Sequence, residues 1–179
     1  MRSITGIHKE GAAKRDDSLR LSNAKEENMP DANLSSKDWL AEELEFINGK
    51  MANTLNGRMK AEFESCDDEK QELTLKFPLQ DWEVNGLGTL HGGMISTMMD
   101  LTMSMVVYLY SRETIPPTIS MTTNYLRPVP MEEYVFIKAR VTSCGKRNAT
   151  AYCEAIVPAS GKTAATSIGT YAIIKAKKD

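Results

Sequence analysis

The chain has 179 residues, of which 41% are hydrophobic, and a formal net charge of −2 from 22 basic and 24 acidic side chains. This length and apolar content are typical of one globular domain with its own core. The balanced charge gives no strong field of either sign, so we do not expect nucleic acid as a partner. Three cysteines without metal-ligand spacing and only two histidines predict a reduced, cytoplasmic protein without a metal site.

The first part of the chain differs in composition from the rest. Residues 1–34 carry many charges, no aromatic residue and little periodicity, which predicts a disordered leader before a single domain at residues 35–179. No apolar run suits a secretory signal, and acids such as Asp16 and Asp17 are not typical of a mitochondrial transit peptide.

The domain opens with one helix and two strands. Ser35 and Asp38 resemble a capping box, and apolar residues at helical spacing predict an amphipathic helix over residues 36–53. Alternating apolar and polar residues then predict strands at 58–65 and 71–79, joined by an acidic turn at 67–69.

A long apolar segment follows at residues 94–110. It is apolar nearly all round apart from Asp100, which predicts a helix buried in protein. A carboxylate at mid-segment disfavours a membrane span, so we expect no membrane partner. Pro116-Pro117 ends this segment, and alternating stretches at 118–126, 133–144, 147–157 and 163–175 predict four more strands. The element order predicts an α+β fold in which one antiparallel sheet wraps around the long central helix.

Gly92 and Gly93 lie at the predicted start of that helix. Unpaired backbone N–H groups and the helix dipole favour an anion or a developing oxyanion there, and glycine lets a ligand approach the backbone closely. The alternative for two adjacent glycines is a tight turn with close packing.

Asp100 is the only acid in the apolar segment. Buried carboxylates are rare unless they are paired or functional, and no basic residue lies between Met94 and Tyr110 to pair with it. The side chain is therefore a candidate catalytic base, the alternative being a structural Asp bonded to backbone or to hydroxyls such as Thr97 or Thr102.

The spacing of these two features constrains how they could cooperate. Eight residues separate Gly92 from Asp100, which is about 12 Å along a helix. One helix cannot place both groups on a single reacting carbonyl, whereas two antiparallel copies across a two-fold axis can. If both groups act together, a symmetric homodimer with two equivalent sites follows.

The chain resembles the hotdog-fold acyl-CoA thioesterases of the phenylacetate-degradation type over about residues 50 to 175. The resemblance is carried by Asn85, by Gly88-Thr-Leu-His-Gly-Gly93 with Asp100 nine residues after His91, and by Thr118-Ile-Ser-Met-Thr-Thr-Asn-Tyr-Leu-Arg-Pro128. It implies a hotdog fold with an extra N-terminal helix and hydrolysis of acyl-CoA to a carboxylic acid and coenzyme A. Coenzyme A is then part of the substrate, and no cofactor is implied.

The resemblance also implies roles for individual residues. Asp100 matches the catalytic carboxylate, either a general base for water or a nucleophile, and the Gly92 N–H matches the group that polarises the thioester carbonyl. His91 and Asn85 match positioning residues, and Thr118 matches a hydroxyl that holds the attacking water. The matching substrate-binding positions, for coenzyme A in particular, are Gly93, Arg127, Gly145, Lys146 and Arg147, although solvated surface is the alternative for the cations.

The chain departs from the residue pattern of that family in two respects, and an alternative function is open. Ser120 and Thr122 stand where many relatives have Asp and Asn, and the catalytic acid is Asp rather than Glu. The alternative is a non-catalytic acyl-CoA-binding protein of the same fold, acting as a sensor or carrier. The expected assembly is a homodimer, which in hotdog proteins commonly pairs again into a tetramer.

Overall fold

The computed structural model describes residue 31 and residues 33–113, 116–131 and 134–174. All the elements below lie in the compact unit formed by residues 32–179. The leader predicted for residues 1–34 falls almost entirely outside the described residues, so it stays a prediction. Within the described ranges, no helix is long and apolar enough to cross a membrane.

The first helix, α1, spans Ser36–Gly49. Its N-cap is Ser35, whose side chain accepts a bond from the Asp38 N–H (3.2 Å) and donates to Asp38 Oδ2 (2.6 Å), as the capping pattern predicts. Its apolar face buries four large side chains in the core: Trp39, Leu40, Leu44 and Ile47.

The segment after α1 differs from the prediction. The helix ends at Gly49 instead of continuing to residue 53, and a second, four-residue helix, α2, spans Leu55–Arg58. This arrangement requires glycine at position 57, because a Cβ there would lie 2.1 Å from the Met51 carbonyl oxygen. The strand predicted from residue 58 consequently begins at Glu62.

Over the described ranges, the sheet has six strands with the order β1-β2-β4-β5-β6-β3, and every neighbouring pair is antiparallel. The strand bounds are β1 Glu62–Asp67, β2 Glu72–Pro78, β3 Thr118–Tyr125, β4 Tyr134–Cys144, β5 Asn148–Val157 and β6 Lys162–Ala172. Strand β3 pairs with β6 on one side only, so its other edge is unpaired among the described residues.

The central helix, α3, spans Gly92–Ser111 and packs against strands β2 to β6. It ends at Arg112, which adopts the left-handed conformation at the C-cap. The four methionines between Met98 and Met105 are buried in the core, as are the inward residues of the strands. The predicted fold, an antiparallel sheet around a long helix with an additional N-terminal helix, is confirmed.

Candidate functional site

The loop before α3 is built around the Asn85 side chain. Its Oδ1 accepts bonds from the N–H groups of Leu87 (2.8 Å) and Thr89 (3.2 Å), and its Nδ2 donates to the Thr89 hydroxyl (2.9 Å). Asn85 therefore holds the loop that leads into the helix start, and its role in positioning a thioester stays a prediction.

His91 is the N-cap of α3. Its Nδ1 accepts a bond from the Gly93 N–H (2.9 Å), and its own backbone N–H donates to the Glu83 carbonyl (2.8 Å). A Cβ at Gly93 would lie 3.1 Å from His91 Nδ1, so glycine leaves room for the capping ring. Glu83 is buried, and this burial raises the pKa of its carboxyl group.

The Gly92 N–H differs from that of Gly93, because no acceptor for it is found among the described residues. The His91 carbonyl, which belongs to the same peptide unit, accepts bonds from the N–H groups of Met94 (2.9 Å) and Ile95 (3.1 Å). Hydrogen bonds at one end of a peptide strengthen the donor at its other end. Gly92 thus presents a polarised donor at the positive end of a helix.

Tyr125, at the end of β3, lies against this helix start. Its hydroxyl donates to the Gly92 carbonyl (3.0 Å) and shares a 2.5 Å bond with the Ser96 hydroxyl. The ring and the glycine border a cavity of about 400 Å³, whose lining comprises Asn85, Thr89, Leu90, Gly92, Ile95, Tyr125, Leu126, Arg127, Pro128 and Val129. Asp100 is not among these residues.

Asp100 is half-buried in the middle of α3 and is held by two hydroxyl groups. Thr118 donates to its Oδ1 at 2.8 Å and Tyr171 donates to the same oxygen at 3.0 Å. The two threonines considered as local partners of Asp100 bond to backbone carbonyls instead: Thr97 donates to Gly93 and Thr102 to Met98. The structure brings two other hydroxyls to Asp100: Thr118, which the resemblance implies as the holder of the attacking water, and Tyr171, which sequence reasoning missed.

A β-bulge aims Thr118 at the helix. Thr118 is opposite Tyr171 and Ser120 is opposite Thr170, so Ile119 is an extra residue in β3. Without the bulge, Thr118 would point to the same face as Ser120 and Thr122, the two departures from the family pattern, which are exposed on the side away from α3.

The predicted substrate-binding cations are separated within one chain. The Arg127 guanidinium donates to the Thr163 carbonyl, at the start of β6. The hairpin containing Gly145, Lys146 and Arg147 is exposed and lies at the other end of β6, where the Ile173 N–H donates to the Arg147 carbonyl. Ten residues of strand separate the two places, about 33 Å.

Comparisons with known proteins agree with this architecture. A model of the Thioesterase superfamily matches residues 87–163. A Caenorhabditis elegans protein provisionally named an esterase is 26% identical over 140 residues, which cover 78% of this chain and 83% of that protein. Mouse acyl-coenzyme A thioesterase 13 is 27% identical over 92 residues, which cover 51% of this chain and 66% of the mouse protein.

Solved structures share the fold. Zebrafish thioesterase superfamily member 2 superposes with a TM-score of 0.65 at 24% identity, covering 73% of this chain and 96% of that one. The E. coli PaaI protein from the phenylacetic acid degradation operon gives 0.66 at 19% identity, covering 81% and 99%. A Streptococcus mutans protein bound to acetyl-CoA gives 0.58 at 19% identity, covering 66% and 91%. The resemblance to hotdog-fold thioesterases of the phenylacetate-degradation type is thereby confirmed.

Proposed function

We propose that this protein hydrolyses acyl-CoA thioesters. The observation that carries the proposal is a single helix with an uncommitted, polarised N–H at Gly92 and a carboxylate at Asp100 oriented by two hydroxyls. The similarity to mouse acyl-coenzyme A thioesterase 13 and to an acetyl-CoA-bound protein of the same fold supports acyl-CoA as the substrate.

The proposed reaction uses one group to polarise the carbonyl and another to activate water. The Gly92 N–H donates to the thioester oxygen, and Asp100 removes a proton from the water that attacks the carbonyl carbon. The tetrahedral oxyanion then collapses and the C–S bond breaks. Coenzyme A thiolate leaves and takes up the proton, and the acyl group departs as a carboxylic acid. Thiolate is a good leaving group, so no strong general acid is needed.

Both groups can act on one carbonyl only if they come from two copies. Gly92 and Asp100 of one chain are about 12 Å apart along α3, and the cavity beside Gly92 does not include Asp100. The unpaired edge of β3 offers the means of association, because a strand with unpaired backbone groups and no charged residue is a template for another strand. We therefore propose a homodimer in which β3 pairs with its own copy.

The contacts of β3 indicate how such a dimer would complete the site. Thr118 at one end contacts Asp100, and Tyr125 at the other end contacts Gly92. Antiparallel pairing about a two-fold axis at Thr122 places Thr118 opposite Tyr125 of the partner subunit, because the bulge at Ile119 shifts the register by one residue. The carboxylate of one subunit then approaches the helix start of the other.

The same arrangement accounts for the separated cations. Arg127 lies near the Gly92 end of its own chain, whereas Lys146 and Arg147 lie near the end of β6 that holds Tyr171. In the antiparallel dimer these two groups approach the same site from different subunits. Coenzyme A, with its phosphates, fits such a divided set of positive charges.

The test is a thiol-release assay over short, medium, long and aromatic acyl-CoAs with wild type and Asp100→Asn. We expect hydrolysis of at least one substrate and a loss of kcat of a hundredfold or more, on the order of that found for removing a catalytic group. Glu62→Gln is the control, because this exposed acid on β1 pairs with Lys76 (3.0 Å). Wild-type rates in the Asp100 variant would contradict the mechanism, and acyl-CoA binding without thiol release would favour a sensor or carrier.

A further inference from the structure

The two hydrogen bonds to the Asp100 carboxylate share one oxygen. Thr118 and Tyr171 both donate to Oδ1, and no donor to Oδ2 is found in the described part of the chain. Two donors on one oxygen fix the plane of a carboxylate and reduce the basicity of that oxygen, which leaves the other as the better proton acceptor.

We infer that Tyr171 is a positioning residue, which together with Thr118 holds Asp100 through Oδ1 and leaves Oδ2 to face the reacting water. The inference rests on the proposed thioesterase function and deepens it, since it assigns the reacting atom. Tyr171 itself is fully buried and its hydroxyl is bonded to Asp100, so it acts through Asp100 and not on the substrate.

Tyr171 is suited to this task because it remains a donor at all ordinary pH values. Burial, and then the nearby Asp100 carboxylate, raise the pKa of the Tyr171 phenol well above its usual range. In the described part of the chain, Cys153 on β5 is a further titratable group near Asp100, and burial likewise raises the pKa of its thiol. Neither neighbour therefore ionises near neutral pH.

Gly169 makes the position of the Tyr171 ring possible. These residues are two apart on β6 and point to the same face of the sheet. A Cβ at Gly169 would lie 2.8 Å from both Cε2 and the hydroxyl oxygen of Tyr171, closer than van der Waals contact allows. Alanine at position 169 would therefore displace the ring, and with it the hydroxyl that bonds to Asp100.

The principal test compares Tyr171→Phe with wild type in steady-state kinetics across pH. We expect kcat to fall about tenfold to a hundredfold, the range for a lost hydrogen bond to a charged group, with KM nearly unchanged because the substrate does not touch Tyr171. A donor to a carboxylate favours its ionised form. Without that donor, the pH dependence of kcat should differ from that of wild type.

Tyr152→Phe is the matched control. This tyrosine on β5 also donates to a carboxylate, Glu154 Oε1 at 3.1 Å, but it makes no contact with Asp100. The control should keep the wild-type pH profile. Gly169→Ala should reproduce the kinetic effects of Tyr171→Phe while leaving the phenol in place.

The outcomes separate the inference from the function on which it rests. An inactive wild type would contradict the thioesterase itself. An active wild type, an inactive Asp100→Asn and a Tyr171→Phe variant with unchanged kcat and pH profile would overturn the role of Tyr171 alone. Circular dichroism and thermal melts show whether a variant has lost activity because it is unfolded. If Tyr171→Phe does not fold, kcat and its pH profile in Gly169→Ala decide the role of Tyr171.

Discussion

The roles of individual residues depend on which of their atoms are already engaged. His91 has one ring nitrogen committed to the Gly93 N–H, and its backbone N–H is committed to Glu83. The ring therefore serves the helix start, and the neighbouring Gly92 N–H is the group left for a ligand. Adjacent residues thus differ in function: His91 caps the helix, and Gly92 keeps the N–H that the proposed mechanism uses.

The capping role of His91 predicts different outcomes for two substitutions. Asparagine can cap a helix through its side-chain oxygen, whereas alanine cannot, and loss of an N-cap costs about 1 kcal/mol. We expect His91→Ala to lower the free energy of urea unfolding by about that amount and to reduce kcat. His91→Asn should restore stability and most of the activity. A fully stable but inactive His91→Asn variant would instead indicate chemistry at the free ring nitrogen.

A residue-scale prediction also follows for Tyr125, which holds the Gly92 carbonyl. Tyr125→Phe keeps the ring over the glycine but removes the hydrogen bonds to Gly92 and Ser96. We expect kcat to fall about threefold to tenfold, as for one neutral hydrogen bond, with little change in stability because the side chain is 55% exposed. Kinetics identical to wild type would mean that the helix start needs no support from β3.

At the scale of elements, the sequence predicts the long periodic segments better than their junctions. The four later strands and α3 have the predicted positions within a few residues, because their alternation or apolar character is local information. The junction after α1 differs from the prediction, and its backbone passes so close at Gly57 and Met51 that only glycine fits at position 57. Glycine packing of this kind leaves no periodic signal in a sequence.

Alanine substitutions at two glycines of this junction should have different effects on the stability of the fold. A Cβ at Gly57 would meet the Met51 backbone, whereas a Cβ at Gly49 meets nothing within 4 Å. Gly57→Ala should destabilise the fold by about 1–3 kcal/mol, the usual cost of overpacking. Gly49→Ala, near the end of α1, should be neutral or stabilising by up to about 1 kcal/mol. Urea unfolding measures both, and equal stabilities would contradict the tight packing at Gly57.

The site could be predicted in part for a related reason. Asp100, Gly92 and Thr118 were identified because an isolated acid, paired glycines and a family motif are visible in the sequence. Tyr171 was missed because 71 residues separate it from Asp100, and alternation gives the face of a strand but not its partner across the sheet. A lone tyrosine on the buried face of β6 was the available signal, since buried tyrosine hydroxyls need a partner.

At the scale of the whole molecule, the proposed dimer makes a prediction about distances between subunits. Thr122 lies at the proposed two-fold axis on the outer face of β3, so Thr122→Cys in a Cys144→Ser background should form an intersubunit disulfide under mild oxidation. Ser120→Cys alone should not cross-link, because its two copies lie about 13 Å apart. A mixture of Ser120→Cys and Asn124→Cys chains should cross-link, since these positions face each other. Non-reducing electrophoresis reads all three, and cross-linking of Ser120→Cys alone would contradict the register.

The extra residue at Ile119 gives the start of β3 an unusual tolerance of a one-residue deletion. Side chains on a regular strand alternate between its two faces, so a residue placed directly before the outward-facing Ser120 faces the helix. Many substitutions at this exposed position would leave the threonine hydroxyl aimed at the helix. Deleting Ile119 would place Thr118 directly before Ser120 and still opposite Tyr171, so the hydroxyl would stay on the helix side and the strand's alignment with a second copy would not change. Loss of this one codon should therefore spare both the contact with Asp100 and the pairing of two copies.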